Sequence, residues 1–129
     1  MSHTVAVEQF EPTASALRRV RRFVRHALGD AGVNGAEGDL ADLVLLVANE
    51  LATNAALHAR TEYVVALVAD EDRVRVEVRD GNTRVPQPCL APPDATSGRG
   101  LVLIDASGMR WGVERHDDGK TVWAEARRG

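Results

Sequence analysis

Cysteine is almost missing from this chain: Cys89 is the only one in 129 residues. No internal disulfide can form, and a reducing compartment is the better match. No signal peptide is apparent, and no apolar run looks long enough to cross a bilayer. A cytoplasmic location is therefore expected, with no membrane partner. Positive charge is not in excess either. A formal net charge of −3 argues against direct binding of nucleic acid. Internal repeats and low-complexity tails are also missing. The charged fraction of 27% and hydrophobic fraction of 44% are those of an ordinary folded protein, so disorder is not expected. The length suits one domain with its own core, and a single domain over 1–129 is the expectation.

The most informative stretch present is Val47-Ala48-Asn49-Glu50-Leu51-Ala52-Thr53-Asn54-Ala55-Ala56-Leu57-His58-Ala59. It reads as the C-terminal half of a long helix beginning near Ala36. At roughly 100° per residue, Leu40, Leu43, Val44, Val47 and Leu51 form one apolar arc. Glu50 falls at the edge of that arc and Asn54 in its middle. A carboxylate and a carboxamide on the face to be buried cost several kcal/mol if unpartnered, roughly speaking. Two explanations serve: both are paired polar groups of the core, or both line a cleft. In a cleft, Glu50 would handle a proton or water and Asn54 would offer an oxygen to a metal.

Around this helix the chain reads in order as follows. Thr4 to Phe10 alternates weakly, as a short edge strand does. Thr13 or Ser15 can cap a helix whose Leu17, Val20, Phe23, Val24, Ala27 and Leu28 recur at helical spacing. The opposite face carries Arg18, Arg19, Arg21, Arg22, Arg25 and His26, either simply solvated or docking an acidic protein surface. Glu62 to Ala69 and Arg73 to Arg79 alternate as two strands of a hairpin around Asp70-Glu71-Asp72. From Thr83 to Ser97 the chain holds Pro86, Pro88, Pro92 and Pro93, which bars a regular helix or interior strand. A loop of this length in a small domain is usually functional, and residues 83–97 are expected to form a lid. Gly98-Arg99-Gly100-Leu101 opens a short helix through Ala106. Met109 to Arg115 and Lys120 to Ala126 are strands around His116-Asp117-Asp118-Gly119. The expected class is an α+β two-layer sandwich, a mixed sheet with helices on one face.

Glu50-Leu51-Ala52-Thr53-Asn54-Ala55-Ala56-Leu57-His58-Ala59 resembles the N-box of the Bergerat-fold (GHKL) ATPases, whose domain is the histidine-kinase-like ATPase fold. Its closing N-A-x-x-H-A is most similar to the anti-sigma regulatory factor and serine-protein kinase group. Three further pieces resemble that family in order across nearly the whole chain. Asp80, with Gly81 and Asn82, looks like the box whose aspartate accepts a hydrogen bond from the adenine amino group. The family's glycine two places after the aspartate is Asn82 here, with glycine displaced to Gly81; Asn is the next most tolerant residue at positive φ. Gly98, Arg99, Gly100 and Leu101 resemble the G-x-G box, where a helix N-terminus and glycines receive phosphate. Gly119-Lys120-Thr121-Val122-Trp123 resembles the closing strand, whose threonine, here Thr121, would contact adenine through Asp80 or water.

The resemblance implies ATP and Mg²⁺ as cofactors, Glu50 as general base and Asn54 as the Mg²⁺ ligand, with phosphates supplying most other oxygens. His58 reads as structural, hydrogen-bonded near the helix end. There is no room before Ala14 for a phosphoacceptor helix and no second domain before Gly129, so a stand-alone anti-sigma regulator is expected. Members of that group bind a sigma factor, or phosphorylate a serine on a small anti-sigma antagonist protein. By analogy with relatives that are often dimers, a homodimer is also expected. The alternative from another class is a non-catalytic, nucleotide-gated protein-binding module, and the presence of Glu50 tilts the reading towards an enzyme.

Overall fold

The computed structural model describes residues 2–33, 38–81 and 109–128. In chain order the elements are β1 (His3–Phe10), α1 (Ala14–Asp30), α2 (Gly38–Asn54) continued by a π-helical turn (Ala55–Ala59), β2 (Tyr63–Ala69), β3 (Arg73–Asp80), β4 (Arg110–His116) and β5 (Gly119–Arg127). Thr13 caps α1 as its sequence position suggests, accepting from the amide of Ala16 at 3.3 Å. The β2–β3 turn is closed by Asp70 Oδ1, which accepts from the amides of Asp72 at 2.7 Å and Arg73 at 2.8 Å. These local devices are the ones aspartate and threonine bring to turns and caps.

The five strands form one sheet in the order β1-β2-β3-β5-β4. The two-layer α+β class is as expected, but the sheet is not mixed: all four pairings are antiparallel. The reason is connectivity. β2–β3 and β4–β5 are hairpins, which must be antiparallel, and two helical passes return the chain to the end where β1 finished. β3 and β4 do run in the same direction, but β5 lies between them and pairs with both, so no parallel ladder forms.

One face of the sheet is covered by the helices. Tyr63, Val65, Leu67 and Ala69 of β2, Val74, Val76 and Val78 of β3, and Val122, Ala124 and Ala126 of β5 are all buried. Against them pack Val20, Val24, Ala27 and Leu28 of α1 and Val44, Val47, Ala48, Leu51 and Ala52 of α2, also buried. Each fully buried Val or Leu contributes about 1.5–3 kcal/mol. Residues Asp39–Leu57 do have the length and composition of a membrane span, with mean hydropathy 1.4, contrary to the sequence expectation. In this fold that hydropathy serves the core, since the helix is buried along the arc that faces the sheet.

α2 does not end as a simple α-helix. Thr53 Oγ1 donates to the carbonyl of Asn49 at 2.7 Å, a back-bond that competes with the regular ladder. The following turn is π-helical and closes with the amide of Arg60 on the carbonyl of Ala55 at 3.1 Å. Arg60 stands in the left-handed region at φ 56°, the conformation that commonly ends helices.

A small aromatic cluster ties β1 and α1 to β2. Phe10 stacks on Tyr63 with centroids 5.9 Å apart and meets Phe23 edge-on at 5.8 Å. Tyr63 is the only tyrosine, and its hydroxyl is buried with no hydrogen-bond partner among the described residues. Burial raises its pKa above the ordinary 10.0, with the charge of Arg19 opposing the shift. The folded state thus holds a proton that the unfolded chain releases first. Its contribution to stability is complete below about pH 10 and is lost as pH rises towards the folded pKa. Ultraviolet titration should show this one phenol ionising above its ordinary range. Tyr63→Phe should remove the alkaline loss while changing stability near pH 7 by less than about 1 kcal/mol. A loss well above that on denaturant unfolding would mean the hydroxyl has a partner after all.

Candidate functional site

Three elements meet at one end of the sheet. Asp80 closes β3 and faces Tyr63 at the start of β2 on one side and Lys120 near the start of β5 on the other. The π-helical turn that continues α2 packs against β3. The amide of Gly81, just past Asp80, donates to Thr61 Oγ1 at 3.0 Å. Gly119 abuts the same point: a Cβ there would lie 1.9 Å from the Asp80 carbonyl oxygen. Only glycine admits this approach, and it brings Lys120 directly opposite Asp80.

Asp80 and Lys120 are both buried, on the helix-covered face. Lys120 Nζ donates to Asp80 Oδ1 at 3.0 Å and to Oδ2 at 3.1 Å. The two side chains are only 4% and 8% exposed. A buried carboxylate needs such a partner, because removing a lone charge from water costs several kcal/mol, roughly. Lys120 is the only lysine in the chain, and sequence reading passed over it. The signal was there: it lies in phase with Val122, Ala124 and Ala126, so the period of two puts it among buried residues.

That same period moves Thr121 away. It pairs with Arg79 and Glu114, on the side opposite Asp80. Its hydroxyl is 2.9 Å from His116 Nε2. Of the two expected routes from Thr121 to adenine, through Asp80 or through water, the one through Asp80 is not formed here; the β5 residue beside Asp80 is Lys120. The exposed side of the sheet carries the other half of each strand's alternation. There the Arg75 guanidinium sits 4.1 Å over the Trp123 ring, which lies against Gly112, where a Cβ would approach within 2.7 Å.

Glu50 and Asn54 stand one turn apart near the C-terminal end of α2, on one face as their spacing requires. Glu50 Oε2 and Asn54 Oδ1 are both sealed from solvent, and Asn54 Oδ1 has no hydrogen-bond partner among the described residues. An unmatched buried acceptor costs about 1–3 kcal/mol. A hard cation is one occupant that would relieve it, since Mg²⁺ prefers oxygen and tolerates a single protein ligand. No cluster of three or more His, Cys, Asp or Glu side chains suited to a metal occurs among the described residues. A sparse, oxygen-based site fits that composition better than a closed metal cage. Of the other sequence candidates, Asn82, Gly98, Arg99, Gly100, Leu101 and the lid 83–97 lie outside the described residues, as does the side chain of His58.

Comparison with known proteins gives a consistent result. The family model described as the histidine kinase-like ATPase domain matches residues 10–125. An uncharacterised protein of Streptomyces coelicolor is 43% identical over 60 residues, 45% of this chain and 57% of that protein. The histidine kinase domain of a blue-light-activated histidine kinase from Erythrobacter litoralis superposes with a TM-score of 0.54. The match has 24% identity and covers 86% of this chain and 58% of that one. A chain of the SiaB–SiaC complex of Pseudomonas aeruginosa superposes with a TM-score of 0.62 at 13% identity, covering 97% and 89%. At these identities the two structures bear on the fold alone. The matches to the Streptomyces and Erythrobacter chains span less than two thirds of those proteins' own lengths.

The buried pair sets a stability test. Asp80→Asn or Lys120→Met alone strands one buried charge and should cost about 3–5 kcal/mol by denaturant unfolding. The double variant should cost clearly less than the sum, since neither charge then remains. Additive losses would show that the two groups do not depend on one another.

Proposed function

The chain belongs to the histidine kinase-like ATPase domain family, and on that basis we propose that it binds ATP with Mg²⁺ where α2, β3 and β5 meet. There it acts as an anti-sigma-type regulator. It binds a sigma factor, or phosphorylates a serine on a small antagonist protein of that system, in the cytoplasm. The observation that carries this reading is the buried, unmatched Asn54 Oδ1 one helical turn after Glu50, within the region the family model covers.

Each residue has a task that its surroundings suit. Asp80 accepts from the exocyclic amine of the base. Asn54 offers Oδ1 to the cation, and the bound ion's chemistry is to neutralise phosphate charge. Glu50 takes the proton of the attacking serine hydroxyl as its oxygen bonds to the γ-phosphorus and the bond to ADP breaks. Removal of that proton at the right atom is worth about 10²–10⁴ in rate. Gly98 and Gly100, which lie outside the described residues, take the phosphate contacts that the family resemblance assigns to them.

The partner surface we assign is the solvent side of α1. Arg18, Arg19, Arg21, Arg22 and Arg25 are all exposed there, and the helix contains a single acid, Asp30, 3.6 Å from His26. Like charges at i, i+3 and i, i+4 cost a few tenths of a kcal/mol per pair, roughly. Such a row in a chain of net charge −3 gains a rationale if an acidic protein face lies over it. The engagement of both Asp80 oxygens by Lys120 competes with a base for that carboxylate and favours a second reading, a non-catalytic protein-binding module in which nucleotide at most gates docking.

ATP with Mg²⁺ at millimolar concentration should raise Tm, by the linkage between binding and folding; no shift and no calorimetric signal would remove the nucleotide reading. Glu50→Ala should hold nucleotide affinity within about tenfold but lose phosphoryl transfer by about 10²–10⁴-fold. Wild-type transfer by that variant would sink Glu50 as the base. Asn54→Ala should weaken Mg·ATP binding, with a smaller deficit when Mg²⁺ is omitted. A deficit independent of Mg²⁺ would mean Asn54 is not a ligand. For the partner, Arg18→Glu with Arg22→Glu should weaken capture of the acidic protein by about tenfold or more, an effect that fades with salt. Capture unchanged by the double reversal would place docking elsewhere.

A further inference from the structure

A cavity of about 520 Å³ lies where β3 and β4 begin and β5 ends, a size suited to a small organic molecule. The length of β3 puts it roughly 23 Å from Asp80. Its two sides differ in chemistry. Leu40 and Leu43 of α2, with Met109 and Ala126, form an apolar side that is continuous with the core. Arg73, Arg110, Glu125 and Arg127 form a charged side. The alternation of β5 explains the division, since Ala126 points to the covered face and its two neighbours to the open one. Strand pairing then gathers the cations. Arg73 stands directly opposite Arg127, an arrangement that like charges disfavour, and Arg110 stands opposite Glu125. Arg73 lies 3.6 Å from the Glu125 carboxylate, while Arg110 and Arg127 make no ion pair among the described residues. Positive charge is thus in excess here, in a chain whose net charge is −3.

We propose that this cavity is a second ligand site, for a small organic acid with an apolar body and one carboxylate or phosphate head. The head sits against Arg110 and Arg127, whose guanidinium forks match the paired oxygens of either group. The body lies on Leu40, Leu43, Met109 and Ala126, where each methylene removed from water adds affinity. Glu125 does not repel the head decisively, because Arg73 already holds it. A neutral apolar molecule would leave the two guanidinium groups unmatched, and a small hydrophilic anion would leave the apolar side wet. Only a ligand with both parts answers both sides. The proposal is independent of the nucleotide reading, since Glu50, Asn54 and Asp80 do not line this cavity.

The test titrates octanoate, octyl phosphate, octanol and acetate into the full chain, followed by amide-resolved NMR. At least one of the two octyl anions should saturate with Kd below about 5 mM, and their relative affinities tell a carboxylate site from a phosphate site. The shifted amides should be those of Leu40 to Leu43, Arg110, Ala126 and Arg127, and not those of Asp80 and Gly81. Octanol and acetate should each bind at least about tenfold more weakly than the better anion. Arg110→Gln with Arg127→Gln should weaken that anion by about tenfold or more and leave octanol unchanged. Octanol binding as tightly as the anions, or shifts centred on Asp80, would overturn the proposal. So would an anion affinity that the double variant leaves intact. If the double variant does not fold, the four probes on the wild type decide alone. Sedimentation with vesicles of phosphatidylglycerol and phosphatidylcholine covers the other source of such chemistry. Protein that pellets with the vesicles while neither octyl anion saturates would assign the arginines to a lipid surface and sink the small-molecule site.

Discussion

A sheet covered on one side only is the constraint from which most of this protein follows. Strand side chains alternate, so covering one face assigns every second residue of β2, β3 and β5 to the core. Val74, Val76 and Val78 occupy it and are essentially inaccessible, while Arg73, Arg75 and Arg79 are sent to the other side. The same alternation runs on to the strand ends and carries Asp80 and Lys120 inward with the valines. The Asp80 carboxylate is thus placed in a low-dielectric environment by the phase of the apolar residues that precede it.

That placement explains why Asp80 has a lysine against it. A buried carboxylate next to apolar residues would take up a proton or destabilise the fold unless a cation met it. Chain geometry makes the meeting close. Gly119 lets the start of β5 press against the Asp80 carbonyl, and the following residue then faces Asp80 across the ladder. Charge neutralisation, backbone approach and register are three aspects of one contact. On the exposed face the same alternation builds a different set of interactions, with Arg75 over Trp123 and Thr121 bonded to His116.

α2 meets two demands at once. Its Val44, Val47, Ala48 and Leu51 form the helix side of the core, which is why its hydropathy reaches that of a membrane span. Its last turns carry Glu50 and Asn54 on adjoining positions, where a core would normally hold apolar groups. The Thr53 back-bond and the π-helical turn occur at this junction, and π-turns inside helices often mark functional sites. Local departure from regular helix and the unmatched Asn54 oxygen fall together at this junction.

Among the described residues, the elements, their order and the core were legible in the sequence, because periods of 3.6 and 2 in apolar residues are local properties of the chain. The cap at Thr13, the Asp70 turn and the burial of Val74, Val76 and Val78 needed nothing else. The sequence also singled out Glu50 and Asn54 as polar residues on an apolar arc, and Asp80 as an acid at a strand end. Pairing was beyond it. Whether the sheet was mixed depended on which strand entered beside β3, and β5 took that place. Whether Lys120 or Thr121 faced Asp80 depended on a one-residue register across strands 40 positions apart in the chain. Adjacent residues on a strand point to opposite faces, so a motif read as a string identifies a neighbourhood but not a direction. The direction is decided by which face the helices cover, a property of the packed layers and of no segment alone.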